Sequence, residues 1–305
     1  MTAAITINND FRSQELVAEW IKFADVAERT QKNYNGALKQ FFKFIAENQI
    51  VNPTRDTVIA FRDELLKTQK SNTVQLKMAA IKLFFKFLEL KGIYKNIAVN
   101  VKSPKVSTDH KRDALKAEDA KQVINNIDTS SSKGKRDKAI VTLMMICGLR
   151  SCEVVRANIG DLVNTCGKLF LHVHGKNRSD KSDMVAIPAA VENLIRDYLS
   201  TRDDINDDSP LFTSTSNRNH RQRLQTQTIS RMTKAAFKAN GFNSSRLTCH
   251  SCRHTAALTM LMNNVSLLKI QMILRHKQIS TTQIYLNHLD RLNNDGEEVA
   301  AAAIL

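Results

Sequence analysis

Glycine and proline are scarce in this chain, nine and four of 305 residues. So few turn formers, with helix-favouring residues plentiful, disfavour an all-β sandwich and predict long helices joined by short connections. Cysteine is rare too, and five copies in a long chain argue for reduced thiols rather than a secreted disulfide framework. No window reaches the apolar run a bilayer span needs. Met1 to Phe11 lacks the basic cap and apolar core of a leader. A cytoplasmic protein is expected. Acids are outnumbered, 30 against 45 Lys and Arg, and the resulting +15 points to a polyanionic partner, nucleic acid or an anionic membrane surface. The 25% charged fraction is below that of a disordered or coiled-coil chain, and 42% hydrophobic residues over this length suffice for two domains.

What is present begins with helical periodicity. From Phe11 to Gly92 the spacing predicts four helices. Leu16, Trp20 and Phe23 form the first stripe, and Thr30 caps a second helix carrying Tyr34, Leu38, Phe41, Phe42 and Ile45. Thr54 starts a third with Val58, Phe61, Leu65 and Leu66 inward. Ser71 caps a fourth, which carries Leu76, Ala80, Leu83, Phe84, Phe87 and Leu88 and stops at Gly92. These stripes are core. Lys70 to Lys105 holds eight Lys and one acid, Glu89, and Lys77, Lys82 and Lys86 put ammonium groups on one flank of the fourth helix. That flank reads equally as a solvated face and as a set of phosphate contacts.

Residues 100–112 lack apolar periodicity and read as an exposed basic linker, with a second domain beginning near Asp113. Helices are expected at Ala117 to Ile127, Lys135 to Cys147 and Ser151 to Ala157. One β-hairpin follows, Leu169 to Val173 and Met184 to Ile187, with a long polar tip. Pro188 starts the helix to Leu199, and helices resume near Thr226, His250, Ser266 and Thr281. The chain is therefore mainly α with a small β-hairpin or sheet (α+β), in two domains.

Three clusters carry chemistry. Gly148-Leu149-Arg150-Ser151-Cys152-Glu153 places an arginine between two helices, where its planar fork suits a phosphate. In His250-Ser251-Cys252-Arg253-His254, His250 and Arg253 share a helix face near an N-terminus. Cys249 and Cys252 have metal-ligand spacing but lack a nearby second pair, so zinc is disfavoured. His254 reads as a supporting or core histidine. In Leu274-Arg275-His276 and Ser280-Thr281-Thr282-Gln283-Ile284-Tyr285, a histidine ends one helix and a tyrosine lies near the start of the next. A packed tyrosine is the commoner fate.

In this order, with His-Gly-Lys at 174–176, these motifs resemble the tyrosine recombinase family, also called phage integrases, and the resemblance spans nearly the whole chain. Its length is similar to compact Xer-like or transposon-type members. The resemblance implies a helical core-site DNA-binding domain at 1–99, the linker 100–112, a catalytic domain at 113–290, and a tail at 291–305 that docks into a neighbouring protomer. It implies a site-specific recombinase that cleaves and rejoins DNA through a 3′-phosphotyrosine, in integration or excision of a mobile element or in chromosome or plasmid dimer resolution. Arg150 and Arg253 match the phosphate-gripping arginines, His250 the first histidine, His276 the second, Tyr285 the nucleophile and Lys176 the hairpin general acid. Glu153 matches a supporting acid. The family commonly has glycine where Arg275 stands. The hairpin tip is longer than usual, so Lys181 rivals Lys176.

The residue chemistry agrees with those roles. Two guanidiniums can stabilise a pentacoordinate phosphate without a metal, and covalent attachment stores the energy for rejoining without ATP, so no cofactor is expected. The implied partners are double-stranded DNA with paired recombination sites, a homo-tetramer formed through tail exchange, and accessory DNA-bending proteins. No membrane partner is expected, and the protein is nucleoid-associated when bound to DNA. A type IB topoisomerase-like enzyme and a catalytically inactive architectural DNA-binding protein are the competing readings. The tail itself, with Ala300 to Ala303, Ile304 and Leu305, fits a frayed terminus as well as a docking segment.

Overall fold

Apolar side chains at helical spacing draw the N-terminal segment into four helices: α1 (Gln14–Ala24), α2 (Glu28–Glu47), α3 (Arg55–Thr68) and α4 (Ser71–Leu90). The computed structural model describes residues 13–105, 113–174, 181–292 and 296–305. Its chain divides into two units, Met1–Thr108 and Asp109–Leu305. The first is centred on aromatic residues: the Trp20 ring meets Phe84 edge-on at 5.4 Å, and Phe41 meets Phe61 and Phe85 at 5.1 and 5.7 Å. Such edge-to-face pairs place the positive rim of one ring on the negative face of another.

Details depart from the sequence expectation. Helix α2 starts behind Ala27, and Thr30 lies inside its first turn. Ser71 is the first helical residue of α4 rather than its cap, which is Lys70. Phe23, Leu66 and Leu76 are exposed, not inward. For Leu76 the reason is register: the core stripe of α4 is Val74, Met78, Ile81, Phe85 and Leu88. Leu76 belongs instead to the stripe of Asn72, Gln75, Ala79 and Lys82. Gly92, at φ +68°, takes the left-handed turn after α4. Ile97, Ala98 and Val101 then pack into this same core, so the stretch 100–112 expected as exposed linker holds a buried residue near its start, Val101. Residues 106–112 of that stretch lie outside the described residues.

In the second unit α5 (Ala117–Asn125) and α6 (Ser132–Ile146) lead to α7 (Ser151–Arg156). Ala139 to Met145 are buried continuously, which makes α6 the central helix of this core. The hairpin is a three-stranded antiparallel sheet, β1 (Leu162–Thr165), β2 (Lys168–Val173) and β3 (Asp183–Ile187), in the order β1-β2-β3. Leu171 stands opposite Leu162 on one side and Val185 on the other. Leu169, Leu171 and Val173 point inward as their alternation predicts. The unforeseen β1 is only four residues long, and its turn uses Cys166 at φ +52° before Gly167 at +73°, an unusual residue for a left-handed position.

Next come α8 (Ala189–Leu199), behind Pro188, then α9 (Thr226–Ala239), α10 (Cys249–Met262), α11 (Leu267–Leu274), α12 (Ser280–Leu292) and α13 (Gly296–Ile304). The tail thus contains a helix whose last residues, Ala300 to Ile304, are exposed, as is Leu305 after it. Among the described residues no helix is long and apolar enough to cross a membrane.

Between α6 and α7 the chain turns at Gly148, φ +62°, where an added Cβ would stand 2.4 Å from Leu274 Cδ2. Gly148→Ala combines a left-handed backbone with a buried clash. It should lower unfolding free energy by about 1–3 kcal/mol, read as a lower urea midpoint. An unchanged midpoint would show that the turn relaxes freely.

Candidate active site

Arg150 ends the Gly148 turn as the N-cap of α7, in an extended conformation. Glu153, three residues on, folds back on it. Arg150 N–H donates to Glu153 Oε2 at 2.8 Å and its Nη1 to Oε1 at 2.6 Å. One carboxylate therefore caps the helix and holds the guanidinium, whose side chain stays 20% exposed while that of Glu153 is 2% exposed.

Arg253 lies on α10 and is 1% exposed. Its Nη1 donates to Gly148 O at 2.6 Å and its Nη2 to Leu274 O, at the end of α11. The guanidinium thereby joins the ends of α6 and α11 to the middle of α10. Two of its five N–H groups are used in this way, which leaves donors for an anion.

One turn before Arg253 on the same helix stands His250. The ring of His254 meets that of His250 edge-on at 5.1 Å and that of Tyr285 at 5.2 Å. His276 follows α11. Its Nδ1 is 2.8 Å from Thr282 Oγ1, and its ring stacks on Tyr285, centroids 6.2 Å apart. Tyr285, on α12 and 3% exposed, packs with Ala257, Leu258, Ile270 and Leu274. Two further residues flank this pair. His254, expected as a supporting or core histidine, is buried against the tyrosine ring, as its i+4 spacing from His250 allows. Thr282, fully buried, is the hydroxyl that meets His276, and the capping candidates Ser280 and Thr281 gave no sign of it.

The electrostatics follow from three guanidiniums, Arg150, Arg253 and Arg275, gathered around the carboxylate of Glu153. Burial opposes ionisation of Glu153, yet Arg275, Arg150 and Arg253 together hold its carboxyl below the ordinary range. Burial, reinforced by the Arg150 charge, brings Arg253 down to about 9, which leaves it cationic at neutral pH. Burial and then the charges of Arg253, Arg150 and Arg275 lower His276 to about 3, so its ring is neutral. Burial raises Tyr285 against the opposing pull of Arg253 and Arg150, and the phenol is protonated. Cys147 and Cys252 are pushed up by burial, Cys147 to about 12, which removes them as competing nucleophiles at neutral pH. Among the described residues no metal-binding cluster of three His, Cys, Asp or Glu forms.

Lys176 lies outside the described residues. Lys181 Nζ is bound to both carboxylate oxygens of Asp161, at 2.7 and 2.8 Å. In the first unit Lys77 Nζ donates to Gln40 Oε1 and Gln69 Oε1 at 2.5 Å each, while Lys82 reaches Ser103 Oγ at 3.4 Å and Lys86 is exposed.

Residues 113–291 match the phage integrase family, and residues 21–92 match the phage integrase N-terminal SAM-like domain. The chain belongs to the phage integrase family. It is thus a tyrosine recombinase, an enzyme of DNA breakage and rejoining, and of the Xer-like kind. It is 32% identical over 230 residues to tyrosine recombinase XerC of Caldanaerobacter subterraneus, covering 73% of this chain and 61% of that protein. It is 29% identical over 303 residues to XerC of Rickettsia bellii, covering 92% and 96%. In fold this recombinase is similar to the XerH site-specific recombinase solved bound to its difH substrate in a pre-cleavage complex. The TM-score is 0.71 at 17% identity, over 92% of this chain and 84% of that one.

The depressed pKa of His276 has a definite sign in stability. An unfolded histidine titrates near about 6.5. The unfolded chain therefore takes up a proton first as pH falls, and this residue's contribution to stability is whole above that pH and drains away towards about 3. The ring's NMR signals should stay flat from pH 5 to 8. A titration centred near 6.5 would contradict the cationic surroundings described for it.

Proposed function

We propose that this recombinase cleaves one DNA strand by in-line attack of Tyr285 Oη on a scissile phosphate. The tyrosyl O–P bond forms and the P–O5′ bond breaks, leaving a 3′-phosphotyrosine and a free 5′-hydroxyl. The observation that supports this reading most is the convergence on Tyr285 of two histidine rings and two arginine charges. Arg150 and Arg253 stabilise the charge that develops on the non-bridging oxygens. Neutral His276, held by Thr282, stands ready to take the phenol proton, and His250 hydrogen-bonds the phosphate beside Arg253. Lys176 delivers the proton to the leaving 5′-oxygen. The occupation of Lys181 by Asp161 supports Lys176 over its rival. Glu153 supports Arg150. Rejoining reverses the step with another 5′-hydroxyl, and the phosphotyrosine conserves the bond energy.

The same reading assigns DNA binding to both units, at 1–99 and 113–290. On α4 the exposed Asn72, Gln75 and Lys86, with the half-buried Lys82 beside them, offer amides suited to base edges and ammonium groups suited to phosphates. Lys77 is spent on two glutamines and serves the fold. The exposed Ile304 and Leu305 at the end of α13 anchor the tail in a neighbouring protomer. A tetramer then exchanges strands between two sites, in movement of an element or in dimer resolution.

A nicked suicide substrate tests the chemistry. Wild type should accumulate a covalent adduct, Tyr285→Phe should bind without forming one, and Arg150→Ala and Arg253→Ala should each slow its formation by on the order of 10²-fold or more. Undiminished adduct from Tyr285→Phe would reject the nucleophile. Relaxation of supercoils without exchange between two sites would make the enzyme a topoisomerase. Lys82→Ala/Lys86→Ala should flatten the dependence of log K on log salt by about 1.8, at about 0.9 per phosphate contact. Lys77→Ala should leave the slope alone and lower stability. An unchanged slope for the double variant would make that flank a solvated face.

A further inference from the structure

Arg275 occupies a position that disfavours an arginine. It ends α11 in the left-handed conformation, φ +55°, ψ +46°, where glycine fits without steric penalty. Its side chain is nevertheless 6% exposed, with Nη1 on Ile273 O at 2.7 Å and Nη2 on Glu153 Oε2 at 2.7 Å. An unfavourable backbone and a buried charge together call for a compensating role.

Glu153 supplies the context. Its carboxylate is bonded on one side to Arg150, by both Nη1 and the main-chain N–H, and on the other to Arg275. Without Arg275, two guanidiniums would face the buried carboxylate and a net charge of one would remain, so Glu153 would offset half of the cationic charge offered to an incoming phosphate. With Arg275 present, three guanidiniums face one carboxylate, and a net charge of two remains. The same residue's N–H bonds close the end of α11, immediately before His276.

We propose that Arg275 is a positioning residue of the phosphate site, which neutralises Glu153 so that Arg150 is both held in place and left electrostatically available to the scissile phosphodiester. The proposal rests on the phosphotyrosine reading above. It separates two duties of Glu153: capping α7 and orienting Arg150 need its oxygens, whereas its charge is a liability that Arg275 offsets. Glutamine at 153 would keep an oxygen for the Arg150 N–H without the charge.

Single-turnover adduct formation on the suicide substrate, at saturating DNA, tests this with wild type, Arg275→Gly, Arg275→Lys and Arg275→Gly/Glu153→Gln. Glycine suits the left-handed backbone, so Arg275→Gly should fold, with a circular dichroism spectrum like that of wild type. Its rate should fall on the order of tenfold or more, with DNA affinity little changed, because the loss falls on the charge that develops in the reaction. The double variant returns the net charge to two and should recover part of that rate, since the amide oxygen can accept from the Arg150 N–H but not from its Nη1 as well. Arg275→Lys, which keeps charge without the fork, should fall between wild type and Arg275→Gly. A wild-type rate in Arg275→Gly, or a double variant no faster than the single one, would overturn the proposal. Absence of any wild-type adduct would instead overturn the underlying phosphotyrosine reading.

Discussion

The arrangement of the second unit depends on one buried cation. Arg253 cannot be sequestered as a bare charge, since desolvation costs more than packing returns unless its donors are satisfied. Two main-chain carbonyls, Gly148 O and Leu274 O, meet that requirement from segments more than a hundred residues apart in sequence. The bond to Gly148 fixes the turn that leads to Arg150. The bond to Leu274 fixes the end of α11, from which Arg275 and His276 follow. A guanidinium with donors to spare for an anion is thus also the pin that holds the surrounding elements.

Once the pin is in place, the charge states follow. Burial and neighbouring guanidiniums keep His276 neutral, while burial keeps the Tyr285 phenol protonated against the arginine field. On the proposed phosphotyrosine chemistry, a neutral imidazole stacked on a protonated phenol can take its proton once a phosphate draws the tyrosine oxygen. Arg253, by contrast, stays cationic at neutral pH, and its fork is oriented before any substrate arrives.

Much of this was legible in the sequence because the chemistry uses rare residues in ordered motifs. Arg150, His250, Arg253, His276 and Tyr285 stand out against their helices, and the structure brings them into one neighbourhood. The helical core of the first unit was likewise evident from its aromatic spacing. Leu76 was misplaced because α4 is apolar over much of its circumference, and composition does not identify the face a neighbour covers. Strand β1 was missed because four residues give too short an alternation. The ties of Lys77 to Gln40 and Gln69 and of Arg275 to Glu153 were invisible, since each joins residues that only the packing of separate elements brings together. No local pattern encodes such pairings.

Whether main-chain carbonyls pin Arg253 before DNA arrives can be read from side-chain ¹⁵N NMR of arginine-labelled free protein at low temperature. Separate, slowly exchanging Nη signals are expected for Arg253, assigned through Arg253→Lys, because two of its donors are held. A single averaged and rapidly exchanging Nη signal, as a solvated arginine gives, would contradict this pinning.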